Sequence, residues 1–291
     1  MRKRLLVWLA AVLCLAAMPA AASACTLFAA NGADWVQGGG SLIVKNRDWT
    51  PEYQELRLVR NRTYAYYGIF GGEAEHLQLK GGVNAKGLAV FTASASAIPR
   101  AQRQLEHGPS QGTLSTLLGE CASVGEALAH TELFIGPKFL LLADAQETAY
   151  VEIAPGGRYA VRREKNGPLW HTNHYLEPEL TDANVRIGTS SQTRYDRIGS
   201  LLMSGARPYA LADFVAFSAD QDAGPNNSIW RVGSRAGGEQ TLATMAIYLP
   251  PAGAPEIYVK VRYAPEDAGQ EDVFTLDGAA LFAEGPAAGS N

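Results

Sequence analysis

Apolar positions along the first third of the chain follow the short, period-two or unbroken pattern of β-strands. Strands are predicted over 25–30, 41–47, 55–60, 63–70 and 88–92. Residues 33–37 lead into Gly38-Gly39-Gly40, a hairpin-type turn, and the glycine-flanked Asn84 suits a tight turn. The spacing of Gly81, Gly82 and Gly87 fits no phosphate-binding loop. The period then lengthens. Leu114, Leu117, Leu118 and Cys121 fall on one helical face, and Ser123-Val124-Gly125-Glu126 is a capping box that opens a second helix to about His130. Strands resume at 139–142, 149–153, 158–162 and 169–172. Ser190 and Ser191 are suited to cap a helix whose stripe is Tyr195, Ile198, Leu201 and Leu202, and a further helix covers 211–217. The last strands are 241–249 and 256–261, and the Ala/Gly-rich tail at 281–291 is expected to fray. Strands and helices come in clusters rather than in βαβ alternation. That order predicts an α+β fold of two stacked antiparallel sheets with helices outside.

The start of the chain breaks this pattern. Met1-Arg2-Lys3-Arg4 is basic, Leu5 to Leu15 is apolar, and Ala22 and Ala24 are the small residues of an export-signal cleavage site. Residues 1–24 therefore read as a signal peptide and 25–280 as a single domain, with a periplasmic or secreted location expected. The formal charge of −4 becomes about −7 without Arg2, Lys3 and Arg4, and the other basic residues are scattered, so no nucleic-acid partner is expected.

Cys14 lies in the leader, which leaves Cys25 and Cys121. An exported chain could pair them as a disulfide, but Cys121 on a helical apolar face reads first as a buried free thiol. Cleavage after Ala24 would put the thiol of Cys25 and a free α-amine on one residue. An α-amine titrates near pH 8, so part of it is a base at neutral pH and can take the thiol proton without a histidine. Two rival readings stand beside this one. Cys25 could carry the lipid of a lipoprotein, although Ala22 is a poor lipobox residue and 26–30 reads as buried strand rather than tether; or it could be an inert thiol. His171 and His174 make a poor metal pair without further ligands. Taken alone, Asp48 suits a solvated turn and Asn173 a strand end. Arg194 near the start of a helix is placed against the dipole, which an ordinary surface cation would avoid.

Five stretches in order change the weighting: Cys25-Thr26, Lys45-Asn46-Arg47-Asp48-Trp49, Gly82-Val83-Asn84-Ala85-Lys86-Gly87-Leu88, His171-Thr172-Asn173-His174 and Ser190-Ser191-Gln192-Thr193-Arg194-Tyr195. With them the chain resembles the N-terminal-nucleophile hydrolases of linear amides that include bile salt hydrolase and penicillin V acylase. Within these it is nearest the isopenicillin N acyltransferase-like branch. The resemblance implies a four-layer αββα sandwich and amide cleavage through an acyl-cysteine. It makes Cys25 the nucleophile, Asp48 the holder of its α-ammonium, Asn173 an oxyanion donor and Arg194 a fixed positive charge beside the nucleophile. Lys45 and Ser94 fall at substrate-binding positions. Bile salt hydrolases have arginine at the place of Lys45 and asparagine near that of Ser94, so neither bile-salt nor penicillin specificity is carried over. The implied partner is a small-molecule acyl amide, with no cofactor, no metal and no stable membrane anchor. Acyl transfer to an amine is the alternative outcome of the same chemistry.

Overall fold

The computed structural model describes residues 24–106, 112–267 and 270–283. The expected signal peptide up to Ser23 and the tail beyond Ala283 lie outside the described residues. One antiparallel sheet is built from β1 (Cys25–Asn31), β2 (Ser41–Trp49), β10 (Gly167–His171), β11 (Gln240–Leu249), β12 (Glu256–Val261) and β13 (Asp272–Asp277) in the order β10-β1-β2-β11-β12-β13. The other runs in chain order through β3 (Tyr53–Val59), β4 (Tyr66–Glu73), β5 (His76–Asn84), β6 (Ala89–Ser94), β7 (Lys138–Ala143), β8 (Thr148–Ile153) and β9 (Tyr159–Glu164). The helices are α1 (Arg100–Arg103), α2 (Thr113–Glu120), α3 (Val124–Ala129), α4 (Thr189–Ser204), α5 (Leu211–Ser218) and α6 (Gly278–Phe282).

Three apolar cores make this a four-layer αββα sandwich. Leu27, Ala29, Ile43, Phe91, Leu141 and Met245 fill the space between the sheets. Leu114, Leu117, Leu118 and Cys121 pack with Leu88, Val90 and Leu140 on the outer face of the seven-stranded sheet. Phe28, Val44, Ile198, Leu202, Phe214 and Ala246 do the same between the six-stranded sheet and α4 and α5. A strand of the inner layers is therefore covered on both faces. That is why β1 is an unbroken buried run whose alternate residues, Leu27 and Phe28, belong to different cores. Among the described residues no helix is long and apolar enough to cross a membrane.

Several details differ from expectation. Residues 33–37, ahead of the glycine turn, are themselves turns with one bridge, Val36 to Tyr209. The strands β5 and β13 are additional. In β5 the glycines conceal the strand pattern: a Cβ on Gly82 would stand 2.2 Å from the Tyr67 carbonyl oxygen of β4, so close strand packing demands glycine there. α4 begins at Thr189 after Gly188, with no side-chain cap, because Ser190 and Ser191 are engaged elsewhere. The predicted cap of α3 is present, Ser123 Oγ accepting from Glu126 N at 3.1 Å. The tail expected to begin at 281 is helical as far as Phe282.

Candidate active site

Cys25 is the first residue of β1 and faces the space between the sheets, at the register position of Arg47 on β2. In the full-length chain its nitrogen is the peptide amide to the buried Ala24. That N–H donates to Asn173 Oδ1 at 3.0 Å. The thiol and its surroundings line a cavity of about 340 Å³ with Lys45, Arg47, Asp48, Lys80 and Ser94 among its walls. A second cavity of about 430 Å³ lies on the Ala24 side, bounded by Ala97, Pro99, Val185, Ser190 and Arg194.

Arg194 is the hub. It reaches inward from α4 and is fully buried. Nη1 donates to Cys25 O at 2.6 Å and Thr26 Oγ1 at 2.9 Å, Nη2 to Asn173 Oδ1 at 2.9 Å, and Nε to Ser190 Oγ at 3.2 Å. No carboxylate lies within ion-pair distance of it among the described residues. Burial weakens its hold on the proton, while the nearby Asp48 opposes that shift. The α4 start places Arg194 in the second turn rather than the first. Its signature is therefore burial with four acceptors more than an unfavourable dipole.

Asn173 is held on every side. Its Nδ2 donates to Ser94 O at 2.9 Å, which uses one of its two N–H groups, and its backbone N–H donates to Ser191 Oγ at 3.0 Å. Ser94, at the end of β6, thus contributes a carbonyl to the site. The residues around Asn173 are pinned too. His171 Nδ1 donates to Thr172 O at 3.1 Å and its Nε2 meets Glu152 Oε1 at 2.8 Å, ring and carboxylate both fully buried. Glu152 also accepts from Leu176 N at 2.8 Å and Glu177 N at 3.2 Å. Thr172 Oγ1 donates to Ser191 O at 3.0 Å, and His174 Nδ1 lies 2.9 Å from Ser191 Oγ. Burial pushes His174 down to about 4, so its ring is neutral at ordinary pH. The histidines thus brace Asn173. The motif around Asn173 and the motif before Arg194 dock on one hydroxyl, that of Ser191.

Asp48 is not a solvated turn. It is fully buried at the end of β2, where Thr241 Oγ1 donates to its Oδ1 at 2.7 Å. Its Oδ2 has no hydrogen-bond partner, and the Arg231 guanidinium stands 3.9 Å away. Burial raises the carboxyl to about 6 against the pull of Arg194 and Arg231. Lys45 is also buried, its Nζ donating to Lys80 O at 2.9 Å and to Thr92 O. Asn84, by contrast, is structural: Nδ2 donates to Leu118 O and Cys121 O, and Oδ1 accepts from Lys86 N and Leu88 N.

The structure therefore brings Cys25, Lys45, Asp48, Ser94, Asn173 and Arg194 to one place. Cys25 and Cys121 are both free thiols, so the disulfide is not formed. Cys121 sits in the helix-side core, where burial pushes its thiol up to about 11. Thr26 and Ser191 join the site from within the stretches Cys25-Thr26 and Ser190–Tyr195, whereas Lys80, Glu152 and Thr241 join it although their residue types and spacing do not point to it.

With this geometry in hand, the family model for acyl-coenzyme A:6-aminopenicillanic acid acyl-transferase matches residues 35–261. The chain belongs to that family. Among solved structures it is similar to penicillin V acylase from Agrobacterium tumefaciens, with a TM-score of 0.53 and 15% identity over 87% of this chain and 86% of that one. A variant of conjugated bile acid hydrolase from Clostridium perfringens gives 0.52 and 13%, covering 87% and 92%. A Caenorhabditis elegans ortholog of N-acylethanolamine-hydrolyzing acid amidase gives 0.52 and 12%, covering 86% and 99%. These likenesses show the shared N-terminal-nucleophile hydrolase fold. A comparison with curated proteins gives no match.

Proposed function

We propose that the family member described here is an exported cysteine amidase that hydrolyses linear amides through an acyl-Cys25 intermediate. One observation carries the reading: Cys25 N, Asn173 Oδ1 and Arg194 are joined by bonds of 2.9–3.0 Å beside a buried, half-unpartnered Asp48. Cleavage after Ala24 turns the Cys25 amide into an amine. That amine takes the thiol proton, directly or through one water, and the sulfur attacks the substrate carbonyl. The free N–H of Asn173 Nδ2 meets the oxyanion, a contribution of about 2.7–4 kcal/mol to the transition state for one such donor. The α-ammonium, held by Asp48 Oδ2, returns its proton to the leaving amine as the C–N bond breaks. Water then attacks the thioester, and the carboxylic acid leaves. Arg194 holds Asn173 Oδ1 and the Cys25 carbonyl in register, and its charge favours thiolate. Leader removal also clears Ala24 from the second cavity, so export and activation are the same cut.

N-terminal mass spectrometry of the exported protein tests this. A free Cys25 is expected; a diacylglyceryl adduct would assign the chain to the lipoproteins. Cys25→Ser is expected to lose most amide hydrolysis, and a chain that keeps Ala24 is expected to be inactive. Full activity from the unprocessed chain would overturn the α-amine mechanism. Acyl transfer is the second reading, favoured by the acyltransferase named in the family description. Mass spectrometry of products formed with and without an added amine acceptor separates it from hydrolysis.

A further inference from the structure

Lys45 stands where the strand pattern calls for an apolar side chain. It shares its face of β2 with Ile43, which is part of the core between the sheets. Its ammonium has three N–H groups and two carbonyl acceptors, Lys80 O and Thr92 O, and no carboxylate lies within ion-pair distance among the described residues. Lys80 on β5 lines the same cavity and likewise has no ion pair among the described residues. The third cation of the wall, Arg47, is answered by Glu52 and by Gln54 Oε1 at 2.9 Å. Of the two carboxylates that line the cavity, Glu52 is paired with Arg47, and Asp48 accepts from Thr241 with Arg231 at 3.9 Å. Two ammonium groups beside Cys25 are left without an ion-pair partner among the described residues, against only the more distant pull of Asp48 and Glu52.

Such a surplus is costly in an enclosed space. Burial draws both lysines down to about 8. A ligand anion would relieve that cost, and it would do so within reach of the thiol. A Cys25 thiolate would face both lysines but supplies one negative charge against two ammonium groups.

We propose that Lys45 and Lys80 form an anion subsite that holds a carboxylate on the smaller half of the amide substrate. This rests on the amidase reading of Cys25 and narrows its substrate class to carboxylate-bearing amides. The carboxylate can come from the amine half, as in an N-acyl amino acid, or from the acyl half, as in a monoamide of a dicarboxylic acid.

Two matched pairs distinguish these sources in the processed enzyme. The first compares phenylacetylglycine with phenylacetylglycinamide, the second succinanilic acid with butyranilide. One pair is expected to favour its carboxylate member in kcat/KM by about tenfold or more, the scale of a desolvated charge contact. Lys80→Met is expected to collapse that ratio through KM, and Lys80→Arg to restore much of it. Ratios within about twofold of one another in both pairs, or a ratio untouched by Lys80→Met, would overturn the subsite. Should Lys80→Met fail to fold, competitive inhibition of the unaltered enzyme by succinate against succinamide decides the same point: inhibition no stronger by the anion refutes it. Should no amide be turned over, the amidase reading fails instead. Calorimetric titration with phenylacetylglycine and phenylacetylglycinamide then judges the subsite alone, and equal binding rejects it.

Discussion

Replacing Arg194 by lysine isolates what the guanidinium does beyond carrying charge. The fork spans Cys25 O, Thr26 Oγ1, Asn173 Oδ1 and Ser190 Oγ. An ammonium is a single point and cannot reach acceptors on β1, the Asn173 loop and α4 together. If it keeps Cys25 O and Thr26, the bonds to Asn173 and Ser190 are lost. Charge-assisted bonds are worth about 1.5–3 kcal/mol each, and the stranded acceptors are buried, so a loss of about 3–5 kcal/mol is expected. For a chain of this size about 3 kcal/mol corresponds to roughly 6–12 °C in Tm. Asn173 loses one of the two groups that fix its Oδ1, and a displacement of an ångström at such a group costs about a hundredfold in rate. Thermal melts and kcat/KM on one acyl amide, measured for Arg194→Lys and for Arg158→Lys as a control, provide the test. Arg158 makes an exposed pair with Asp182 at 3.1 Å, where a change of at most about 1 kcal/mol is expected. Arg194→Lys with a Tm within about 2 °C of the parent and kcat/KM within about threefold would refute the hub argument.

Three further outcomes follow from the geometry. Burial raises the folded Asp48 carboxyl to about 6, so the stability it confers is fully present below the unfolded value of about 3.9 and lost as pH rises through 6, about 3 kcal/mol in all. A chain beginning at Cys25 offers its ammonium to Oδ2 and is expected to lose less than the Ala24-bearing chain; equal losses in urea midpoints between pH 4 and 7 would remove the ammonium from Asp48. His171→Leu leaves the buried Glu152 carboxylate with only the Leu176 and Glu177 N–H groups and is expected to cost about 3 kcal/mol in urea unfolding, a cost under about 1 kcal/mol disproving the brace. Asn84→Ala removes two hydrogen bonds from the β5–β6 turn to the end of α2 and two within the turn, so a loss of about 4 kcal/mol is expected; differential scanning calorimetry finding the parent Tm would show those bonds to be idle.

Most elements are legible in the sequence because their signals are local. The unbroken apolar run of β1, the stripe of α4 and the cap at Ser123 each follow from neighbours within a few residues. β5 escapes such reading because its glycines answer to Tyr67 on the adjacent strand. Ser190 and Ser191 have the composition of caps, yet distant Asn226 and Asn173, with Arg194 one turn along the helix, claim their hydroxyls.

The cysteine at the head of β1 and the motifs that follow it were determined by the sequence itself, as was the clustering of strands and helices into layers. Residue type and spacing suffice for those. Tertiary structure alone decided that Arg194 reaches β1, that Ser191 joins two motifs, and that Lys45 and Lys80 meet beside Cys25 with no ion-pair partner among the described residues. Each of those facts depends on partners separated by tens to well over a hundred residues, and on burial, which turns an ordinary charge into a costly one.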